Sequence, residues 1–483
     1  MFKNTKFKTI LLGPFVFLIL FLFSFLSPSH SSLISVIGLA FWIIYWWTTE
    51  SIPIAVTSFL PLLILPILGV SPFQEIIPNY YSSIILLFWG GFVLGLSLEK
   101  YKIHEIIALE ILKRAGKTPA AVIGGVMYAS YFISMWISNT ATAIMMLPIA
   151  ISIFNLVDEL SPREVSKKIA IGSMLGIAYG ANIGGIATII GTPPNMVLKS
   201  FLEERFGYSP DFLEWMIVGL PFSLLLIWIT NQLFTKVLFV LPSQPIKGLD
   251  EFIESRKREI GPLSKVQIRT LFVFVSAAFC WIFQGPLNFI LSHFQLDFKL
   301  TDAGIAVFFA LLTFLIPQGP PLKTGGLMHW KDMKKIAWPI LFMFGGGMSL
   351  ALGLEKAGFV QFIQEASSSI PLSYWAIVAL FLILISVFAT EIMSNVALIT
   401  ILIPVVIAIS ASFGITNPLV LGIPVTFGSS LAFMLPISTP PNAVVYSSKL
   451  VSLKTMVKTG FWLNIVSIVL LTLLFFLLKL MYA

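Results

Sequence analysis

Apolar runs of about twenty residues, the length that crosses roughly 30 Å of hydrocarbon as a helix, recur from Ile10 to Ala483 with only short polar breaks. They predict an all-α membrane protein with about eleven transmembrane helices, near residues 9–27, 32–48, 53–69, 81–99, 169–198, 212–240, 268–292, 301–317, 338–355, 417–448 and 459–481. Two further apolar segments, 119–155 and 371–412, are each interrupted by a polar tripeptide, Ser138-Asn139-Thr140 and Ser394-Asn395-Val396. Each is a pair of thin spans or one re-entrant hairpin, and either form returns the chain to the side it left. The segment Met1 to Leu26, with Lys3, Lys6 and Lys8 ahead of an apolar run, has the outline of a secretory signal. Its run is long and has no clear small-x-small cleavage pattern, so it reads as a retained first span.

Composition agrees with this pattern. A chain that is 57% hydrophobic and 11% charged over 483 residues cannot hide its apolar surface in one water-soluble core. The net charge of +8 raises the question of nucleic acid, and topology answers it. Cytoplasmic loops keep the excess of lysine and arginine. With Met1 inside, only Lys199, Arg205, Lys299, Lys356 and Lys479 of the 30 basic residues fall outside, so no nucleic-acid partner is needed to explain the charge. The amino terminus is then cytoplasmic and the carboxyl terminus extracytoplasmic. Cys280 stands alone, which excludes an internal disulfide.

Sliding the sequence against itself reveals a repeat. An offset of 256 superposes Pro61 on Pro317, Phe88 on Phe344, Gly90-Gly91 on Gly346-Gly347, Leu98-Glu99-Lys100 on Leu354-Glu355-Lys356, Ser138-Asn139 on Ser394-Asn395, and Pro148 on Pro404. At an offset of 247, Thr192-Pro193-Pro194-Asn195 superposes on Thr439-Pro440-Pro441-Asn442. Pro61 and Pro317 fall in spans of opposite direction, so the repeat reads as inverted. It divides the chain into a first helix (1–30), repeat one (31–241) with its hairpin and a broken helix at Thr192–Asn195, a cytoplasmic loop (242–267), and repeat two (268–483) with its hairpin and a broken helix at Thr439–Asn442. Both tripeptides then belong at hairpin tips near the membrane centre. Inverted halves of this kind build carriers, because they exchange inward-open and outward-open shapes around one central site.

That site is expected where helix-breaking polar residues match. Proline pairs within a span free carbonyls, which is tolerated where the backbone lines a cavity. Asn195 and Asn442 are placed to cap the helices that follow, as are Ser138-Asn139 and Ser394-Asn395. Helix amino termini favour an anion. Ser134 and Thr390 each stand five residues before the tip asparagine, adding hydroxyls to the hard oxygen atoms that suit sodium. No Lys or Arg occurs in 119–155, 170–198, 371–412 or 415–448, so a multivalent anion there lacks a side-chain cation, and co-bound sodium would supply the charge.

Gly90-Gly91 through Lys100, Ser138-Asn139-Thr140-Ala141-Thr142 leading to Met146-Leu147-Pro148, Gly191-Thr192-Pro193-Pro194-Asn195, and their second-half copies resemble the divalent anion:sodium symporter family from about Trp46 onward. The resemblance implies a homodimer embedded in lipid, a scaffold with a moving part, and cargo among dicarboxylates, citrate or sulfate. It implies one sodium site from Ser134, Ser138, Asn139 and Gly191, and a second from Thr390, Met393, Asn395 and Ser438. Substrate carboxylates would meet Asn139 and Thr140, then Ser394 and Asn395, with Thr192, Pro193, Thr439 and Pro440 beside them. The function implied is sodium-coupled symport of a small dicarboxylate such as succinate, malate or fumarate. The alternatives are a sodium-independent exchanger and a sulfate or other inorganic-anion symporter. Val396 departs from the family's usual Ser-Asn-Thr and removes one hydroxyl.

Other ionisable residues have plainer readings. Glu50, Glu99 and Glu355 sit at span ends, where a carboxylate reaches the headgroup region. Glu391, one residue after Thr390, is balanced between structure and charge tuning. Residues 101–114 read as an interfacial connector helix. An enzyme is disfavoured, because His30, His104, His293 and His329 fall in loops or near span ends and form no hydrolase motif.

Overall fold

The computed structural model describes residues 2–160, 162–208, 210–295, 298–319, 325–367, 371–415 and 417–482. Met1 and Ala483, the ends from which the orientation is counted, lie outside them. The first half begins with α1 (Phe2–Ser24) and α2 (Ser31–Thr49), continues through the short α3 (Ile54–Thr57), α4 (Leu60–Ile67) and α5 (Phe73–Ile76), and reaches α6 (Ser83–Lys100) and the connector α7 (Ile103–Ala115). The interrupted segment follows as α8 (Pro119–Ser134) and α9 (Asn139–Leu160), then α10 (Arg163–Ala187), α11 (Pro193–Phe206) and α12 (Phe212–Gln232). After α13 (Leu249–Ile260) come α14 (Lys265–Ile282), α15 (Gln284–His293), α16 (Asp302–Leu315), α17 (Trp338–Lys356) and α18 (Phe359–Ser367). The last group is α19 (Trp375–Ala389), α20 (Asn395–Ser412), α21 (Leu419–Ser430), α22 (Pro440–Ser447) and α23 (Leu453–Tyr482).

Among the described residues, nine helical stretches are long and apolar enough to cross a membrane, and several other apolar helices are shorter. Two of the nine, Asn139–Glu159 and Asn395–Ser412, belong to the interrupted segments, while the expected spans near 9–27, 53–69, 301–317 and 417–448 are represented by shorter apolar helices. Spans 169–198 and 417–448 break beside the proline pairs expected to break them, and 53–69 is interrupted as well. The expected cytoplasmic loop 242–267 is partly helical. Its α13 is tied to α7 by Lys113–Glu254 at 2.5 Å and Lys257–Glu110 at 2.6 Å.

Helix α10 is the most buried of the long helices. Gly172, Gly176, Gly180 and Gly184 recur every four residues and lie along α8, where a Cβ at Gly184 would stand 2.2 Å from the Tyr131 carbonyl oxygen and one at Gly180 2.4 Å from that of Met127. Bare backbone lets the two helices approach closely, the usual device where lipid gives helices no hydrophobic reason to associate.

Positions 256 apart meet or do the same work. Phe88 and Phe344 touch each other, ring centroids 4.9 Å apart. Lys100 at the end of α6 pairs with Asp332, just ahead of α17, at 2.7 Å. Lys356 at the end of α17 pairs with Glu75, just ahead of α6. Gly90 of α6 leaves room for the backbone of Ala306 in α16, and Gly346 of α17 for that of Ser58 beside α3.

Candidate functional site

Both tripeptides stand at the junction of two helices, their last two residues opening α9 and α20, and each junction is built alike. The Ser134 hydroxyl donates to Asn139 Oδ1 at 2.7 Å, and the Thr390 hydroxyl to Asn395 Oδ1 at 2.8 Å. Each junction thus brings a hydroxyl oxygen and an amide oxygen together, two hard ligands of the kind a small cation selects. Thr390 Oγ1 also lies 2.6 Å from the Ser429 carbonyl oxygen. Ser138 caps α9 as expected, accepting from Ala141 N–H at 3.3 Å. Ser394 occupies the N-cap of α20 without a side-chain cap bond. Thr140 is half-buried, whereas Val396 is buried.

The proline pairs begin α11 and α22, where a missing N–H costs nothing, and the chain before them leaves the helix over 188–192 and 431–439. Asn195 Nδ2 donates to the carbonyls of Gly185 (3.0 Å) and Thr188 (2.9 Å). Asn442 Nδ2 donates to those of Ala432 (3.2 Å) and Leu435 (3.1 Å). The acceptors are themselves 247 apart. This corrects the expectation that the two asparagines cap the helices that follow. Their side chains reach backward, because the broken stretches leave carbonyls without helical donors. The N-caps are Thr192 and Thr439, and only Thr439 accepts with its side chain, from Asn442 N–H at 3.4 Å.

Glu391 resolves as a clamp on the second break. Its carboxylate accepts from Phe433 N–H (2.8 Å), Met434 N–H (3.0 Å), Leu435 N–H (3.2 Å) and Asn464 Nδ2 (2.8 Å). Helix α10 secures the same stretch. The Tyr179 hydroxyl donates to the Phe433 carbonyl at 2.7 Å, and Asn182 Nδ2 to the Ala432 carbonyl at 2.9 Å and Thr439 Oγ1 at 3.3 Å. Sequence reasoning did not single out Tyr179, Asn182, Thr188 or Asn464. Asn182 was detectable as the one amide within the apolar, glycine-rich α10.

In the first half the expected residues converge. A Cβ at Gly185 would stand 2.7 Å from Asn139 Oδ1 and 3.0 Å from Thr192 Cβ, and Gly191 packs on the Gly185 carbonyl. Ser134, Asn139, Gly191 and Thr192 therefore gather around Gly185. In the second half Thr390 and Asn395 are paired, while Ser438 is engaged with Asn442 Nδ2 (3.0 Å) and the Leu435 carbonyl (2.6 Å). Among the described residues no hydrogen bond joins Ser438 or Met393 to Thr390 or Asn395.

A cavity of about 100 Å³ runs from Glu99 and Lys335 to Ser138 and Ala141 past Phe88, Gly91, Phe92 and Gly95. The positions 256 further on, Phe344, Gly347, Met348 and Ala351, line a cavity of only about 10 Å³. Val197, Phe201 and Glu204 of α11 also line it, and α11 makes three further polar contacts. Arg205 pairs with Glu355 at 3.0 Å, buried Lys199 with buried Asp302 at 3.0 Å, and Glu203 accepts from the Ser83 hydroxyl at 2.9 Å. Glu99, the counterpart of Glu355, faces Lys335 at a looser 3.8 Å.

Known proteins share this arrangement to different depths. The chain is 33% identical over 469 residues, 96% of its length and 89% of the relative's, to the sodium-dependent dicarboxylate transporter SdcS of Staphylococcus saprophyticus. It is 32% identical over 468 residues to SdcS of Staphylococcus aureus strain USA300, again covering 96% and 89%. The crystal structure of the Alcanivorax borkumensis YdaH transporter superposes with a TM-score of 0.56 at 12% identity, covering 84% of this chain and 87% of that one. Neisseria gonorrhoeae MtrF follows at a TM-score of 0.50 and 11% identity, covering 83% and 82%. These two likenesses concern the fold. Residues 4–481 match the family described as the sodium:sulfate symporter transmembrane region, and this multi-pass membrane protein belongs to that divalent anion:sodium symporter family.

Proposed function

We propose that the chain is a sodium-coupled symporter of small dicarboxylates, working by alternating access between two inverted halves, with its amino terminus in the cytoplasm and two copies forming a dimer. The relatives named as sodium-dependent dicarboxylate transporters support the substrate class. The matched junctions, Ser134 with Asn139 and Thr390 with Asn395, carry the coupling. Each offers a cation two oxygens beside a helix amino terminus, in segments that contain no basic side chain.

Sodium supplies the positive charge that a dianion needs there, since helix termini contribute only fractions of a charge. With the cation in place, the serine or threonine hydroxyl turns its lone pairs inward and its proton elsewhere, and the asparagine Nδ2 is left to donate to a substrate carboxylate. Thr140 and Ser394 add hydroxyl donors. The 100 Å³ and 10 Å³ cavities correspond to an open cytoplasmic path and a closed outer one.

Uptake of labelled succinate into proteoliposomes under an inward sodium gradient tests this reading, with malate, fumarate, citrate and sulfate as competitors. Sodium-dependent accumulation that the four-carbon acids compete is the expected result. Counterflow that persists without sodium would indicate an exchanger, and preferential competition by sulfate an inorganic-anion symporter.

A further inference from the structure

A third cavity, of about 300 Å³, is separate from the 100 Å³ cavity that leads to Ser138, the vestibule. It is enclosed by α8 (Phe132, Ile133), by Trp136 just beyond it, by α14 (Leu271, Phe274, Ala278) and by α7, and its only ionisable lining residue is His104. His104 is 5% exposed, and its Nδ1 makes no hydrogen bond of ordinary geometry, although the Leu98 backbone is near enough to favour the ring's protonated form. Its Nε2 lies 4.0 Å from Glu105. A buried imidazole nitrogen without a partner, facing an apolar space at the lower end of small-molecule pocket sizes, calls for an apolar ligand with one hydrogen-bonding group.

Geometry narrows the ligand. The cavity opens sideways, where Phe132 is 43% and Val275 58% exposed, towards hydrocarbon. Apolar cavities do not hold water. Gln267 in the first turn of α14 donates to the Tyr101 carbonyl at 2.9 Å, so His104 lies beside the start of that apolar helix. Ala278 lies about 16 Å deeper along the same helix. Burial lowers the basicity of His104 below the ordinary histidine range, which weighs against a charged partner such as a fatty-acid carboxylate and towards a neutral acceptor.

We propose that this cavity is a phospholipid site, taking one acyl chain of the leaflet next to α7, with the lipid's ester carbonyl accepting a hydrogen bond from His104 Nδ1. Trp136 and Ile137 line both this cavity and the vestibule, so a seated chain touches the wall of the substrate path just ahead of Ser138.

The test does not depend on transport. The full chain is reconstituted in phosphatidylcholine with increasing fractions of lipid brominated on its acyl chains, and the fluorescence component that Trp136→Phe removes is followed. Ester-linked brominated lipid is expected to quench that component at a severalfold lower fraction than its ether-linked analogue. His104→Phe should erase the difference, His104→Gln should retain it in part because a donor remains, and Ala278→Phe should weaken quenching by filling the deep end. Equal quenching by ester and ether lipids in the parent chain, or quenching that Ala278→Phe leaves unchanged, overturns the proposal.

Discussion

The two halves hold their broken stretches with the same asparagine on matching carbonyls and differ in the length of the gap and in what else secures it. In the first half the gap is five residues long, and the Thr188 hydroxyl donates to the Met135 carbonyl at 2.5 Å. In the second it is nine residues long, position 135 is replaced by its counterpart Glu391, and position 188 by Leu435. More unwound backbone means more N–H groups without helical partners, and a carboxylate is the one side chain that satisfies several at once. That solution places a buried acidic group beside the second junction alone. Negative charge there attracts a cation and repels a carboxylate, and the same half has lost the Thr140 hydroxyl to Val396. On the proposed reading the halves share a frame but divide the work, with the first better suited to the anion.

The sharpest way to break this comparison uses the two cavities. In a Cys280→Ser background, Gly95→Cys should react with a small water-soluble thiol reagent many times faster than its counterpart Ala351→Cys. Gly95 tolerates the change, since its Cβ would meet nothing closer than the Trp136 carbonyl oxygen at 3.4 Å. Equal rates would mean that the difference in cavity size is not a difference in access.

Next in size is the clamp. Glu391→Gln turns one acceptor atom into a donor facing N–H groups, leaving buried donors unpaired at a cost of about 3 kcal/mol or more. A marked fall in Tm with loss of uptake is expected. Met135→Leu, at the matching position, swaps one apolar side chain for another of similar volume, which should cost less than about 1.5 kcal/mol. Comparable losses at both positions would show that Glu391 acts by packing rather than as an acceptor.

These contrasts also mark what was legible in the sequence. The offsets of 256 and 247 located both junctions, both proline breaks and the serine or threonine beside each asparagine, because identical side chains performing identical backbone bonds leave identical residues. What the alignment could not reveal is where one half solves a problem differently. Tyr179 and Asn182 reach from α10 to the opposite half, a contact between residues about 250 positions apart that no local spacing encodes. The capping role given to Asn195 and Asn442 followed helix-start preferences, which rank side-chain acceptors for the amino-terminal N–H groups and ignore stranded carbonyls. The proline pairs marked the breaks in 169–198 and 417–448, whereas the interruption within 53–69 was not legible because apolar length does not record where a backbone breaks.

A smaller effect is expected from the proposed cation ligands. Ser134→Ala and Thr390→Ala each remove one oxygen, and a loss near 1.4 kcal/mol corresponds to about a tenfold rise in the sodium concentration for half-maximal transport. The preference for succinate over malate should stay as it was. The change should be greater at Thr390, which also lies against the Ser429 carbonyl. Unaltered sodium dependence in both variants would reduce the hydroxyls to internal helix bonds and favour the exchanger.

The smallest effect probes the weaker end of the site. Val and Thr have nearly the same shape, so Val396→Thr fits sterically and adds one hydroxyl next to Asn395. Position 396 is only 6% exposed, and a buried hydroxyl needs a partner. If a substrate carboxylate lies there, the new bond contributes up to roughly 1.5–3 kcal/mol before the pocket reorganises, and dicarboxylate affinity should rise by up to about tenfold. Thr140→Val should lower it by a similar factor. Without substrate the same hydroxyl is left with only its own helix to satisfy it, so Val396→Thr should lower the Tm slightly in the empty protein and recover it when succinate and sodium are added. A Tm loss that succinate does not recover, in a variant whose dicarboxylate affinity is unchanged while sulfate stabilises the parent chain, would move the substrate from dicarboxylates to the compact inorganic anions.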